Sequence, residues 1–309
     1  MNYERMRRPA NARHKGLLLD SHGGFDVIDC EVCGFAHATP LPSAEELQRV
    51  YSETYYAIEK PDYLTRAEAD APWANMFYED RLVALSDALG PSNSGARRLL
   101  DIGSGPGHFL RFADSLGWRG EGVEPSRQAA DYASAKGLRI HNRMFDEDWA
   151  RAQTPFNAVH SMNVLEHVAD PAAILRAAHA CLAPGGAICV GVPNDYNAMQ
   201  AAARQAGQQP WWVVPPHHLN YFSFDSLERL LRRCGFAPVS RLTSFPMEAF
   251  LLMGRNYVGD DRSGRALHAE RKAFDANMQS VDPAIRRRFY NALSDQGFGR
   301  EAIVVAVKS

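Results

Sequence analysis

Between Arg97 and Phe236 the chain alternates short apolar runs with longer stretches in which apolar residues return every three or four positions. RRLLDIGS, RGEGVEPS, LRIHNRMF, FNAVHSMNVLEHV and AICVGVPN read as strands, the fourth running on into a loop. HFLRFADSLGW, SRQAADYASAKG and PAAILRAAHACLAPGG read as helices, the last with a glycine stop. This order predicts an α/β fold: strands that alternate with helices form a mostly parallel sheet covered on both faces. Ligands of such sheets sit outside the carboxyl ends of the strands.

The pattern changes outside that core. DSLERLLRRCGF predicts an amphipathic helix, APVSRLTS a strand and REAIVVAVK a final strand rich in β-branched residues. Residues 245–299 form an insertion before the last strand that is far longer than an ordinary connection. Its ALHAERKAFDANM and PAIRRRFYNALSDQG segments read as helices, so a helical lid or an oligomer contact is expected, with a homodimer as the expected assembly. Residues 1–75 are irregular and form a small N-terminal appendage, in which Ser43 and Glu46 have the spacing of a capping box. NMFYEDRLVALSDAL, closing at Gly90 and Pro91, is the first helix of a main domain taken as residues 76–309.

A chain of 309 residues, 46% hydrophobic and 23% charged, can bury one good-sized core and a smaller appendage. The net charge of -2 and isoelectric point of 6.6 give no overall positive field, so a nucleic-acid substrate is not expected. No apolar stretch approaches the roughly 18 residues of a membrane span, and the N-terminus lacks a signal-peptide core. A cytoplasmic protein is expected. Five cysteines are an odd count, and Cys181, Cys189 and Cys234 lie inside apolar patterns, which predicts buried thiols and no disulfide framework.

The most informative segment is LLDIGSGPGHFL, a strand that ends near Asp101 and turns through Gly103, Gly105 and Gly107 into a helix. Glycines there let the backbone turn tightly and admit a ligand without a Cβ in the way. Glu124 follows at the end of the next strand, where a carboxylate can accept both ribose hydroxyls of a nucleoside. A dinucleotide-binding turn carries GxGxxG, whereas these glycines are spaced GxGxG behind Asp101. That carboxylate would repel a pyrophosphate and suits a cationic group.

In this order, DIGSGPG, GVEPS, FNAVHSMNVLEHVADP and LAPGGAICVGVPN resemble the motifs of class I S-adenosylmethionine-dependent methyltransferases, over roughly Leu99 to Phe236. The resemblance implies a Rossmann-like seven-stranded sheet with an antiparallel last strand, S-adenosyl-L-methionine as cofactor, and methyl transfer to a small acceptor. Carried across, Asp101 and the three glycines hold the amino-acid end of the cofactor, with Ser104 in the same turn. Glu124 holds the ribose, Asp146 the adenine amino group, and Met162 and Asn163 line the pocket.

Methyl transfer to a hydroxyl needs in-line approach and removal of a proton. Two clusters stand where a base is needed: Glu166 and His167 beyond the fourth strand, and His217 and His218 with Tyr221 in PPHHLNYFS. Glu166, His167 and His218 are the candidate catalytic residues. His217, Tyr221 and the upstream Tyr56 are candidate substrate contacts, and Trp211 and Trp212 offer a stacking wall. LEHV also resembles the ubiquinone-pathway O-methyltransferases, whose metal-binding Glu two residues before LeuGluHis is Asn163 here, so metal-assisted catalysis is not expected. PPHHLNYFSFDSLERLLRRCGF is similar to a block in bacterial methyltransferases of cell-surface glycans and small metabolites, which implies O-methylation of a sugar or similar polar molecule. The competing reading is a decayed, cofactor-binding scaffold, or transfer to nitrogen or carbon.

IDCEVCGFAHATPLPSAEELQRVYSETYY resembles the second half of a zinc-ribbon segment found in some sugar methyltransferases, where two CxxC pairs close a tetrahedral site. Only Cys30 and Cys33 are present. Asn11 and His14 stand where the first pair belongs, and His22 and His37 are further candidates. The expectation is a degenerate ribbon that binds no metal.

Overall fold

The computed structural model describes residues 14–42, 63–91 and 96–309. Tyr56 and the Ser43–Glu46 pair lie outside the described residues.

The main sheet is built from β4 (Arg98–Ile102), β5 (Arg119–Val123), β6 (Arg139–His141), β7 (Phe156–Met162), β8 (Leu182–Pro193), β10 (Phe236–Leu242) and β11 (Glu301–Lys308), in the order β10-β11-β8-β7-β4-β5-β6. β4, β5, β6, β7 and β8 run parallel, and β11 is antiparallel to both of its neighbours. Alternate residues of each central strand enter opposite cores. Leu100, Val159, Ile188 and Val304 face one cluster, while Leu99, Ala158, Cys189 and Val305 face the other. The first core is covered by α5 (Pro171–Cys181) and α7 (Phe224–Arg233), the second by α1 (Tyr63–Leu89) and α2 (His108–Ser115).

Four shorter strands form a second, antiparallel sheet: β1 (Gly16–His22), β2 (Phe25–Cys30), β3 (Phe35–Thr39) and β9 (Asn220–Tyr221). Its last member comes from the far end of the chain, so the N-terminal segment is paired to the main domain. The boundary expected at residue 75 falls inside α1, which continues unbroken across it.

The insertion supplies α8 (Glu248–Leu252), α9 (Asp261–Val281) and α10 (Pro283–Asp295). The last two are fixed to α1 by buried polar contacts. Arg286, fully buried, donates to both oxygens of Asp80 at 2.9 and 2.7 Å, and Asp275 accepts from Trp73 Nε1 at 2.8 Å. One expected boundary is corrected. The glycines of LAPGG do not stop α5; the helix ends at Cys181, Leu182 is already extended, and the glycines lie inside β8.

Candidate active site

A cavity of about 640 Å³ opens at the carboxyl ends of the parallel strands, a size suited to a cofactor-sized ligand and its partner. One end is the turn after β4. Gly103 and Gly105 have φ of 71° and 52°, left-handed values that only glycine adopts without strain, and both line the cavity with Ser104. Gly107, although also left-handed, faces away. A Cβ there would lie 2.3 Å from Leu138 Cδ1 and 3.2 Å from Ala133, so this glycine is required by packing between α2 and the segment after α3 (Arg127–Ala135).

Two buried carboxylates flank the turn. Glu124, 4% exposed, accepts from the Gly105 amide and the Ser126 amide, each at 2.8 Å. Burial pushes its carboxyl up to about 6 against the pull of those two amides, and the nearby Asp101 charge adds to the rise. Asp101 pairs in register with His160 on the neighbouring strand β7, and His160 Nδ1 donates to it at 2.7 Å. Burial lowers the His160 pKa, which keeps the ring neutral, and Arg81 reaches its Nε2 at 3.4 Å. Phe109 stacks on the imidazole at 3.7 Å between centroids. Arg81, on α1, thus stands across the His160 ring from Asp101, and both residues line the cavity.

Among the described residues only Asn163 and Tyr196 combine a side chain with positive φ, 54° each. They follow β7 and β8, where the chain leaves the sheet to wall the cavity. Beyond Asn163 a short 3₁₀ turn, Leu165–His167, carries Glu166 and His167. His167 Nδ1 donates to the His217 carbonyl at 2.7 Å, its Nε2 lies 3.7 Å from Glu166, and the rings of His167 and His218 are 5.1 Å apart. Ligand atoms of Glu166, His167 and His218 converge within 4.8 Å, a set of one carboxylate and two imidazoles.

Of the residues singled out from the sequence, Asp101, Gly103, Ser104, Gly105, Glu124, Met162, Asn163, Glu166, His167 and His218 line this one cavity. Four others do not. Gly107 packs behind the turn as described. Asp146 instead caps α4 (Glu147–Arg151), accepting from the Trp149 amide at 2.8 Å and from Arg143 at 2.5 Å; the adjacent Met144 and Phe145 reach the cavity. His217 contributes its carbonyl to orient His167. Tyr221, 2% exposed, packs with Val27, Ala36 and Trp212 and fastens its loop by donating to the His218 carbonyl at 3.0 Å.

The structure adds residues that no short motif announced. Asp195, Gln200 and Glu248 line the cavity, and Asp195 Oδ2, Gln200 Oε1 and Glu248 Oε2 are buried without a hydrogen-bond partner among the described residues. Gln200 joins the two carboxylates, at 3.3 Å from Asp195 and 3.5 Å from Glu248. Burial pushes Asp195 up to about 7, with Glu248 contributing. Glu248 comes from α8, so the insertion forms part of the cavity wall.

A seven-stranded sheet with a reversed last strand, and a glycine turn and acidic pair at its carboxyl edge, define a class I cofactor-binding α/β transferase. Residues 73–241 match the family described as a methyltransferase domain, and the chain belongs to that family. It is 35% identical over 152 residues to a ubiquinone biosynthesis O-methyltransferase of Ruegeria pomeroyi, covering 47% of this chain and 61% of that one. The enzyme of the same name from a Caulobacter species is 37% identical over 128 residues, covering 39% and 51%. The chain thus spans between half and two thirds of the length of these curated relatives. A solved S-adenosylmethionine-dependent methyltransferase from Mesorhizobium loti is 18% identical, with a TM-score of 0.44, covering 72% of this chain and 95% of that one. Among the described residues no helix is long and apolar enough to cross a membrane.

The residues at the glycine turn fit the cofactor. Two buried carboxylates next to a glycine-rich turn suit a cationic, hydroxyl-bearing ligand, and Arg81 on the same cavity wall suits the carboxylate of its amino-acid end.

Proposed function

We propose that this protein is an S-adenosylmethionine-dependent methyltransferase that methylates a hydroxyl of a small, ring-shaped, polyhydroxylated acceptor. The observation that carries the reading is the set of buried, unpartnered oxygens on Asp195, Gln200 and Glu248, in the same cavity as the cofactor turn. Buried acceptors are costly unless a ligand brings donors, and hydroxyl groups are such donors. Trp211 and Trp212 border the same space and suit the flat face of a ring. The names of the O-methyltransferase relatives support oxygen as the target atom. A sugar or surface-glycan precursor meets these requirements, and so does a phenolic ring.

In this reading Asp101 takes the ammonium and Arg81 the carboxylate of the methionine moiety, Glu124 the ribose hydroxyls, and Met144 with Phe145 the adenine face. When bound, S-adenosylmethionine supplies a methyl group made electrophilic by its sulfonium. The protein's own work is to hold the acceptor and take its proton. Because the His217 carbonyl can only accept, His167 carries its proton on Nδ1 and presents a lone pair at Nε2. His167 is the general base, Glu166 steadies the imidazolium that forms, and His218 lines the acceptor side.

The test is transfer of an isotopically labelled methyl group to two panels, sugars and sugar nucleotides in one and ring phenols in the other, with product structure read by NMR. An O–CH3 product in either panel is expected. Label appearing only on amine or carbon acceptors would overturn the proposal.

A further inference from the structure

Outside the cavity, the N-terminal sheet gathers four side chains of metal-binding type. We propose that His14, Cys30, Cys33 and His37 hold a structural zinc ion, with the two histidines in the positions a second cysteine pair would fill.

The donor atoms of these four residues lie within 4.8 Å of one another. Zinc bonds of about 2.3 Å to sulfur and 2.0–2.1 Å to nitrogen imply tetrahedral edges of about 3.3–3.8 Å. His14 Nδ1 lies 3.4 Å from Cys33 Sγ and 3.7 Å from Cys30 Sγ, both inside that range. The cysteines are two free thiols, not a disulfide. The loop between them is shaped as a ligand turn: the Cys33 amide donates to Cys30 Sγ at 3.4 Å, the Gly34 amide to the Cys30 carbonyl at 2.8 Å, and Gly34 takes a φ of 75°.

His37 supplies the independent observation. It is 2% exposed, and its Nδ1 donates to the Ala38 carbonyl at 2.9 Å. That contact fixes the tautomer and leaves the lone pair on Nε2, a buried atom with no hydrogen-bond partner among the described residues. A carbonyl holding one ring nitrogen while the other binds an ion is the usual second contact of a metal-bound histidine. Four protein ligands leave no open position, so the ion would serve the fold and not the chemistry.

Its place explains what it would hold. His37 pairs in register with Asn220 of β9, and the Ala38 amide donates to the Leu219 carbonyl at 2.7 Å. Leu219 in turn donates to the Glu166 carbonyl at 2.7 Å, and Asn220 Nδ2 to the carbonyls of Leu165 and Val168 at 2.8 and 2.7 Å. From the other side, Arg229 and Arg233 of α7 donate to the carbonyls of Gly34 and Val32. The site therefore braces the turn that carries Glu166 and His167.

The full chain, expressed with zinc supplied, should carry about one zinc per chain by elemental analysis. Replacement by cobalt should give the intense visible absorption of a tetrahedral ion and a thiolate-to-metal charge-transfer band. Cys33→Ser and His37→Ala should each weaken zinc affinity at least about tenfold, whereas His218→Ala should leave the metal content unchanged. A wild-type chain that takes up neither zinc nor tetrahedral cobalt would overturn the proposal even if the variants fold poorly. So would metal that persists in Cys33→Ser and is lost in His218→Ala, which would locate the ion at Glu166, His167 and His218.

Discussion

Protonation of Glu124 should move stability and cofactor affinity in opposite directions. In the folded chain its carboxyl is pushed from 4.5 to about 6, chiefly by burial. The folded state therefore binds the proton more tightly than the unfolded state. The ionised form costs the ligand-free fold about 1.5 × 1.36, or about 2 kcal/mol, at neutral pH, and this cost disappears as pH falls through 6 towards 4.5. Ribose hydroxyls and a nearby cation need the carboxylate, so affinity for S-adenosylhomocysteine should weaken about tenfold for each unit below pH 6. In Glu124→Gln the affinity slope should vanish and the stability slope should lose the share of Glu124, leaving that of Asp195, which burial pushes up to about 7. That variant should also bind more weakly at neutral pH by about 1–3 kcal/mol, because its NH2 would face one of the two backbone amides the carboxylate now accepts. Urea unfolding and calorimetric titration at several pH values between about 5 and 8, wild type against variant, separate this group from the others that titrate. Affinity that stays flat with pH in the wild type, or slopes that are the same in wild type and variant, would refute the reasoning.

Three further outcomes are expected. Gly107→Ala should lose about 2–4 kcal/mol of stability in urea titrations, from its left-handed φ of 77° and the clash with Leu138, with little change in cofactor affinity. Arg286→Ala strands the buried Asp80 carboxylate and should cost about 3–5 kcal/mol, while an Arg286→Met, Asp80→Leu double variant should recover most of it. His167→Ala should lower kcat about 10²–10⁴-fold in the methyl-transfer assay and leave S-adenosylhomocysteine binding intact; equal losses in both would place the residue in cofactor binding instead.

The strand–helix alternation was readable because both faces of each central strand are apolar, as with Leu99 and Leu100, and because each helix keeps one apolar stripe. The glycine turn and Glu124 were readable because backbone demand and charge are local. What was hidden depends on distance along the chain. His160 meets Asp101 only through strand register and Arg81 only through helix packing, and Arg81 by itself reads as a solvent-facing helix cation. Asp195, Gln200 and Glu248 form one polar group only because the insertion returns to the sheet edge. Asp146 was assigned to adenine because of its place after the third strand, yet it also precedes a helix, and the capping role takes its carboxylate. His14 and His37 join the cysteines through hairpin pairing, which no CxxC spacing discloses.

Among the described residues, the two residues of β9 have their only strand partner in β3. A shortened enzyme starting at α1 would thus lose more than an appendage: the backbone of Asn220 and Tyr221 would become an open edge beside the reaction chamber, inviting other chains to add there. Catalytic engineering of this protein has to treat its first strands as the backing of the loop that brings His218 to the cavity.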